Sequence, residues 1–146
     1  MVCSITRLIH YGQLPEEIQH KAEAVARVDA EMIAATRPGQ SLKNIFQRAV
    51  KAYADSGYPD EWRLHHQGGT AGYEPREYLA TPESTEYVAV GQTYAWNPSI
   101  MGVKSEDTIL VGENGNETLT AIPDWPVVQV DINGQSLERP AILVID

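Results

Sequence analysis

Three short segments hold the residues whose types and spacing could do chemistry. The first is Leu64-His65-His66-Gln67-Gly68-Gly69-Thr70-Ala71-Gly72-Tyr73-Glu74-Pro75. Its start reads as a strand over 62–67. Successive strand residues point to opposite faces, so His65 and His66 cannot both serve one site without a backbone distortion. The glycines let the backbone turn and a ligand approach closely. The commoner role for such a histidine is structural, in a core or hydrogen-bonded beside a glycine turn. The second segment, Tyr94-Ala95-Trp96-Asn97-Pro98-Ser99-Ile100, reads alone as a strand end before a proline turn. The third runs from Gly102 to Thr120 and carries Glu106 and Asp107 side by side. On a strand Glu106 shares a face with Lys104 and Thr108, and Asp107 shares one with Ser105 and Ile109. A charged pair on a strand is usually a solvated edge, so no segment identifies a chemistry by itself.

The chain around them has 146 residues, enough for one domain, and is 42% hydrophobic, enough for a core without staples. One cysteine excludes a disulfide framework and a thiolate-only metal site within the chain. Lys and Arg number 11 against 20 Asp and Glu, for a net charge of -9. Nucleic acids and anionic membranes want a basic surface, so neither is expected as a partner. No apolar run approaches the roughly 20 residues of a membrane span, and no apolar stretch follows Arg7 as in a secretory leader. These features suit an acidic cytoplasmic domain.

The elements that must position the three segments come in two blocks. Val2 to Tyr11 is rich in β-branched and aromatic residues and reads as a strand that starts at once, as if the chain continued from an upstream region. A helix is expected over 15–37, opened by Pro15 with Glu16 and Glu17 at its positive end. Ile18, Ala22, Val25, Val28, Met32 and Ile33 recur along it at helical spacing, and Arg37, Pro38 and Gly39 stop it. A second helix is expected over 41–56, capped by Ser41, with Leu42, Ile45, Phe46, Ala49, Val50 and Tyr53 on one face and Gly57 after its end. From Trp62 onward Gly and Pro punctuate short β-like runs, near 62–67, 73–79, 91–97, 103–111, 117–120, 126–132 and 137–145. Asn133-Gly134 and Asn114-Gly115 read as two-residue hairpin turns. Helices early and an antiparallel sheet late make an α+β fold.

In this order and at these separations the segments resemble the C-terminal part of the creatinase/aminopeptidase domain, the pita-bread, M24-like metallopeptidase family. That family includes methionine aminopeptidase, aminopeptidase P and prolidase. The resemblance covers nearly the whole chain. Ser4-Ile5-Thr6-Arg7 is similar to a family strand reading Asp-x-Thr-Arg, and Pro38-Gly39 to the Arg-Pro-Gly after a family helix. His66-x-Gly-Gly with Glu74-Pro75 looks like His-Gly-x-Gly followed by His-Glu-x-Pro, and Asn97-Pro98 sits where the family has Glu-Pro-Gly. Glu106-Asp107-Thr108, Val111 and Glu113-Asn114-Gly115, then Leu119-Thr120, match Glu-Asp-Thr-x-Leu-Val-x-Glu-Asn-Gly and Leu-Thr, the most specific of the set.

The resemblance implies an α+β partial pita-bread domain over 1–146, with two helices on a curved antiparallel sheet. It implies descent from Xaa-Pro aminopeptidases and dipeptidases, which use a two-metal site of two aspartates, one histidine and two glutamates. One aspartate would fall upstream of Met1. The other falls on Ser4, the histidine on His66, and the glutamates on Asn97 and Glu106. A second family histidine, which contacts substrate, falls on Tyr73. Two divalent ions need charged, bridging carboxylates, and this chain keeps only Glu106 of that set. A two-metal site is therefore expected to be impaired or absent. At most one weakly bound Mn, Co or Zn ion would sit on His66 and Glu106, and the chain alone is expected to be inactive. Two other readings follow from the same residues. One is a metal-free, creatinase-like amide hydrolase using His66, Glu106 and Tyr73, with Tyr73 donating to an oxyanion. The other is a non-catalytic module that binds a peptide or small amide.

Several geometric expectations follow. Ser4, His66, Asn97 and Glu106 should converge on one cleft, with Tyr73 at its wall. Cys3 should be a small buried hydrophobe and His20 solvated, while His10 lies about 20 Å along the strand from Ser4, too far to join it. Trp62 and Trp96 should be core. A partial domain leaves an unpaired sheet edge near Val2–Tyr11, so a twofold homodimer is expected.

Overall fold

The computed structural model describes all residues, Met1–Asp146. Strand β1 (Ile9–Tyr11) leads into α1 (Glu16–Ala35) and α2 (Leu42–Asp55), followed by a single 3₁₀ turn at Glu61–Arg63. Then come β2 (Gly68–Ala71), β3 (Tyr78–Leu79), β4 (Thr93–Trp96), β5 (Ser99–Ile100), β6 (Val103–Lys104), β7 (Asp107–Val111) and β8 (Asn116–Thr118). The chain ends with β9 (Val127–Ile132), β10 (Gln135–Pro140) and β11 (Leu143–Ile145).

Both helices lie where the apolar spacing predicts them. Ser41 caps α2 by accepting the Asn44 N–H at 3.1 Å. The far end of α1 is held by the sheet. Asn116 Nδ2 donates to the carbonyls of Ile33 and Thr36 at the helix terminus, where the regular backbone ladder ends. Thr36 Oγ1 in turn accepts the indole N–H of Trp96 at 2.9 Å. Trp96 is buried and stacks on Tyr94 with ring centroids 5.3 Å apart. One core joins Val25, Val28 and Met32 of α1, Leu42, Ile45 and Tyr53 of α2, and Tyr94, Trp96, Ile109 and Val111 of the sheet.

That sheet is five-stranded in the order β3-β2-β4-β7-β8, with every neighbouring pair antiparallel. The β9–β10 hairpin packs against α1, and β11 pairs in parallel with β1. Asn133 and Gly134 both take positive φ, as their two-residue turn requires. Asn114-Gly115 does not form the same turn. Neither residue has positive φ, and the wider loop closes through Gly112 N–H on Gly115 O.

The strands expected over 103–111 and 137–145 are each split in two, as β6 and β7 and as β10 and β11, and three others are much shorter or absent. Residues 62–67 are not a strand, because Gln67 is fully buried and draws the chain inward. Its amide nitrogen donates to the carbonyls of Trp62 and His65, and its oxygen accepts from the Tyr53 hydroxyl at 2.8 Å. Backbone oxygens committed to that side chain do not form a ladder. Of the first eleven residues only Ile9–Tyr11 form a strand, with a single bridge from Thr6 to Glu106 upstream. Of 73–79 only Tyr78–Leu79 pairs; the preceding residues form a loop gathered on Glu77 Oε1, which accepts the N–H groups of Tyr73 and Glu74.

Candidate functional site

Register decides which of the candidate residues meet. Trp96 of β4 faces Asp107 of β7, so Asn97 and Glu106 leave the same end of neighbouring strands. The Asn97 N–H continues the ladder to Gln67 O at 3.0 Å. The N-terminal segment crosses this end of the sheet. Thr6 N–H donates to Glu106 O at 3.2 Å, and Thr108 Oγ1 donates to Ser4 O at 2.9 Å.

Glu106 is buried, and both of its carboxylate oxygens are taken. Arg76 Nη2 donates to Oε1 at 2.8 Å, and Thr6 Oγ1 donates to Oε2 at 2.6 Å. The same guanidinium donates from Nη1 to Ser4 Oγ at 3.0 Å and to Pro75 O at 2.6 Å. Ser4 and Glu106 therefore meet through a residue that the sequence did not single out. Arg76 comes from the loop between β2 and β3, and nothing local marks it. Its partners lie 72 and 30 positions away.

His66 sits just before β2, outside any strand, so the alternation argument for His65 and His66 does not apply. Its Nδ1 accepts the Gly68 N–H at 3.2 Å, which places the proton of the neutral ring on Nε2. Partial burial and then the positive charges of Arg76, His65 and Lys104 hold its pKa below the ordinary value, against an opposing pull from Glu106. Gly68 is required here. Its φ is +101°, and a Cβ would overlap the Ala95 carbonyl. His65 turns to the Ser99 hydroxyl and its ring lies perpendicular to that of His66. Asn97 is 5% exposed, and its Oδ1 has no hydrogen-bond partner. Tyr73 stands 94% exposed on the Arg76 loop, tied down only through its backbone. Cys3 is exposed rather than buried, because the segment that carries it pairs at single points and is not an inner strand. His20 is exposed, as expected.

A second ionic cluster lies behind the first. Asp107, the next residue after Glu106, takes Arg7 Nη2 on Oδ1 at 2.8 Å and Arg139 Nη2 on Oδ2 at 2.9 Å. Arg139 also donates to Asp29 Oδ2 from Nε at 3.0 Å and from Nη2 at 2.6 Å, and Ser105 Oγ reaches the same oxygen at 2.5 Å. Asp29 Oδ1 is buried without a partner. Burial pushes the Asp29 carboxyl up to about 6, with Asp107 adding to the rise and Arg139 and Ser105 opposing it. Burial pulls Arg139 down, but the Asp29 and Asp107 carboxylates outweigh it and hold its pKa above the ordinary value. Arg7 also donates to the carbonyls of Thr6, Glu106 and Thr120, which ties the two clusters together.

The arrangement is that of an M24-type domain. The family model for metallopeptidase family M24 matches residues 1–113, and the chain belongs to that family. An uncharacterized peptidase of Staphylococcus saprophyticus is 33% identical over 125 residues, covering 81% of this chain and 35% of its own length. The crystal structure of a dipeptidase from Pyrococcus horikoshii OT3 matches with a TM-score of 0.71 at 28% identity, over 80% of this chain and 34% of that one. An Xaa-Pro dipeptidase from Bacillus anthracis shares the fold at a TM-score of 0.75 and 18% identity, over 97% of this chain and 37% of that one. The fold is the α+β C-terminal part of a pita-bread domain, and the chain spans about a third of the length of these relatives.

Proposed function

We propose that this protein is an Xaa-Pro aminopeptidase/dipeptidase-like member of family M24 whose two-metal hydrolytic site is impaired or absent. The observation that carries the reading is the occupancy of Glu106. One oxygen binds a guanidinium, the other a hydroxyl, and the guanidinium also holds Ser4. These donors do not suit a pair of divalent ions. No three His, Cys, Asp or Glu side chains gather as ligands. Ser4 and Asn97 bring no charge to balance a cation, and Nε2 of His66 carries a proton while Gly68 holds Nδ1. An ion on Nε2 would need the opposite tautomer and would lose that hydrogen bond. At most one Mn, Co or Zn ion would be held weakly at His66 and Glu106.

What remains is a cleft suited to a peptide or small amide. In it His66 presents an Nε2–H donor and Tyr73 forms an exposed wall, while Glu106, held by Arg76 and Thr6, fixes the N-terminal segment. The absence of a working metal pair favours binding over hydrolysis. A metal-free amide hydrolysis by His66, Glu106 and Tyr73 would need Glu106 released from Arg76. We further propose a twofold homodimer through the segment Val2–Tyr11, whose β1 part pairs with β11 on one side only and where Val2, Ile5, Ile9 and Tyr11 are exposed. Metal analysis of the purified chain, with an Xaa-Pro hydrolysis assay in Mn, tests the reading. Substoichiometric metal and no turnover are expected. Two ions per chain with metal-dependent hydrolysis would overturn it.

A further inference from the structure

Two strands end their sheets without a neighbour on the outer side. β8 is the last strand of the five-stranded sheet, and β10 has only β9 as a partner. The bonds from β8 to β7 alternate along the strand. Gly112 N–H donates to Gly115 O and Leu119 N–H donates to Thr108 O, so the backbone groups of Asn116 and Thr118 point away from β7. In β10 the two-residue turn closes at Gln135, and Ala141 N–H donates to Pro126 O beyond the strand's far end. The same alternation turns the backbone groups of Ser136 and Glu138 away from β9.

Both open edges line one groove of about 290 Å³, beside the end of α1. Ile33 and Leu137 supply its apolar part. Residues 135–139 of β10 run along it, roughly 14 Å of extended chain. Arg37 stands at the Gln135 end. Its guanidinium meets only neutral acceptors, Thr36 O at 3.4 Å and Gln135 Oε1 at 3.3 Å. Glu138, three positions further along β10, carries the opposite charge. The groove is thus polarised along its length. It shares no residue with the His66 and Glu106 site, and its β10 wall lies outside residues 1–113 matched by the family model.

We propose that this groove binds the C-terminal end of an extended peptide as an added strand. The peptide backbone pairs with the open groups along β8 and β10, an apolar side chain rests on Ile33 and Leu137, and the terminal carboxylate meets Arg37.

The test is amide NMR of the full chain, titrated with three peptides. They are acetyl-Thr-Val-Thr-Val with a free carboxylate, its C-terminal amide, and the acid N-methylated at its inner amides. Saturable shifts are expected from the acid at the amides of Asn116, Thr118, Ser136 and Glu138, with slower hydrogen exchange at all four. The C-terminal amide should bind about tenfold more weakly, the effect of one charge-assisted hydrogen bond, and the N-methylated acid should not bind. Arg37→Gln should weaken the acid to the level of the amide and leave the amide unchanged. If Arg37→Gln does not fold, the three peptides on wild type decide alone. The inference is overturned by no saturable shift at the four amides in millimolar acid, by equal affinity for acid and amide, or by full binding of the N-methylated form. Shifts confined to His66 and Tyr73 would also overturn it and place the peptide at the proposed functional site. Metal-dependent hydrolysis at His66 would overturn that function and leave this inference standing.

Discussion

Glu106 and Asp107 are adjacent, and each is neutralised by arginine, yet the two clusters are built differently. Arg76 reaches Glu106 from a surface loop, and the pair keeps about a tenth of its surface in solvent. Arg139 reaches Asp107 and Asp29 from the β9–β10 hairpin, with side-chain exposures of 3%, 2% and 1%. The first cluster holds the N-terminal segment. The second lies in the interior and fastens the C-terminal hairpin, which is outside residues 1–113 matched by the family model, to α1 and β7. Two consecutive residues thus divide the labour, one holding the N-terminal segment and one the scaffold beneath it. A buried ion pair contributes little net stability over an apolar replacement, but breaking one by removing a partner is costly.

Arg139→Ala should therefore have the largest effect. It strands the Asp29 carboxylate in the interior, while Asp107 keeps Arg7, and should cost about 3–5 kcal/mol. Urea unfolding should show this as a lower midpoint. A loss below about 1 kcal/mol would mean that water reaches the hairpin contact, and the contrast between the clusters would fail.

The pH dependence sharpens the same contrast. Asp29 has a folded pKa raised to about 6 from a reference of 3.8, so the folded state binds more protons than the unfolded one between those values. Its contribution to stability is therefore greatest below about pH 4 and falls as pH rises through about 6. Asp29→Asn removes that contribution. The difference in unfolding free energy between wild type and variant should shift in favour of the variant across this window. The groups facing Asp29 are Arg139, Ser105 and Asp107, and none is changed. A pH-independent difference would contradict the assignment.

In the outer cluster Thr6→Val removes one hydrogen bond to a charged oxygen while keeping the shape of the side chain. A loss of about 1.5–3 kcal/mol is expected if Glu106 Oε2 is left without a partner, and less if water replaces the hydroxyl. Denaturant midpoints of this variant and Arg139→Ala, measured together, rank the two clusters directly.

Much of the scaffold was legible because its causes are local. Helical spacing, the Ser41 cap and the Asn133-Gly134 turn each act within a few residues. The ionic sites were not, because their partners are remote. Arg139 meets Asp29 across 110 positions, and Arg76 meets Ser4 across 72. Glu106, Asp107, Ser4 and His66 were visible through motif resemblance, but the cations that settle the state of the carboxylates carried no motif. The strand expected over 62–67 failed for a related reason. Gln67 is polar, and only the folded environment shows that its burial with Tyr53 outweighs β propensity.

Tyr73 gives the smallest stability effect and the cleanest separation of scaffold from site. Its side chain is 94% exposed, and the loop beneath it is held by backbone contacts to Glu77 that a substitution leaves intact. Tyr73→Ala should shift unfolding free energy by no more than about 0.5 kcal/mol, the usual range for a surface change. If Tyr73 walls the cleft, the same variant should weaken binding of a neutral dipeptide amide severalfold. A destabilisation of about 2 kcal/mol would place the ring against a packed surface. Unchanged dipeptide-amide binding would remove Tyr73 from the site and leave the cleft to His66 and Asn97. The two readouts separate because an exposed ring on an anchored loop contributes to recognition without contributing to the fold.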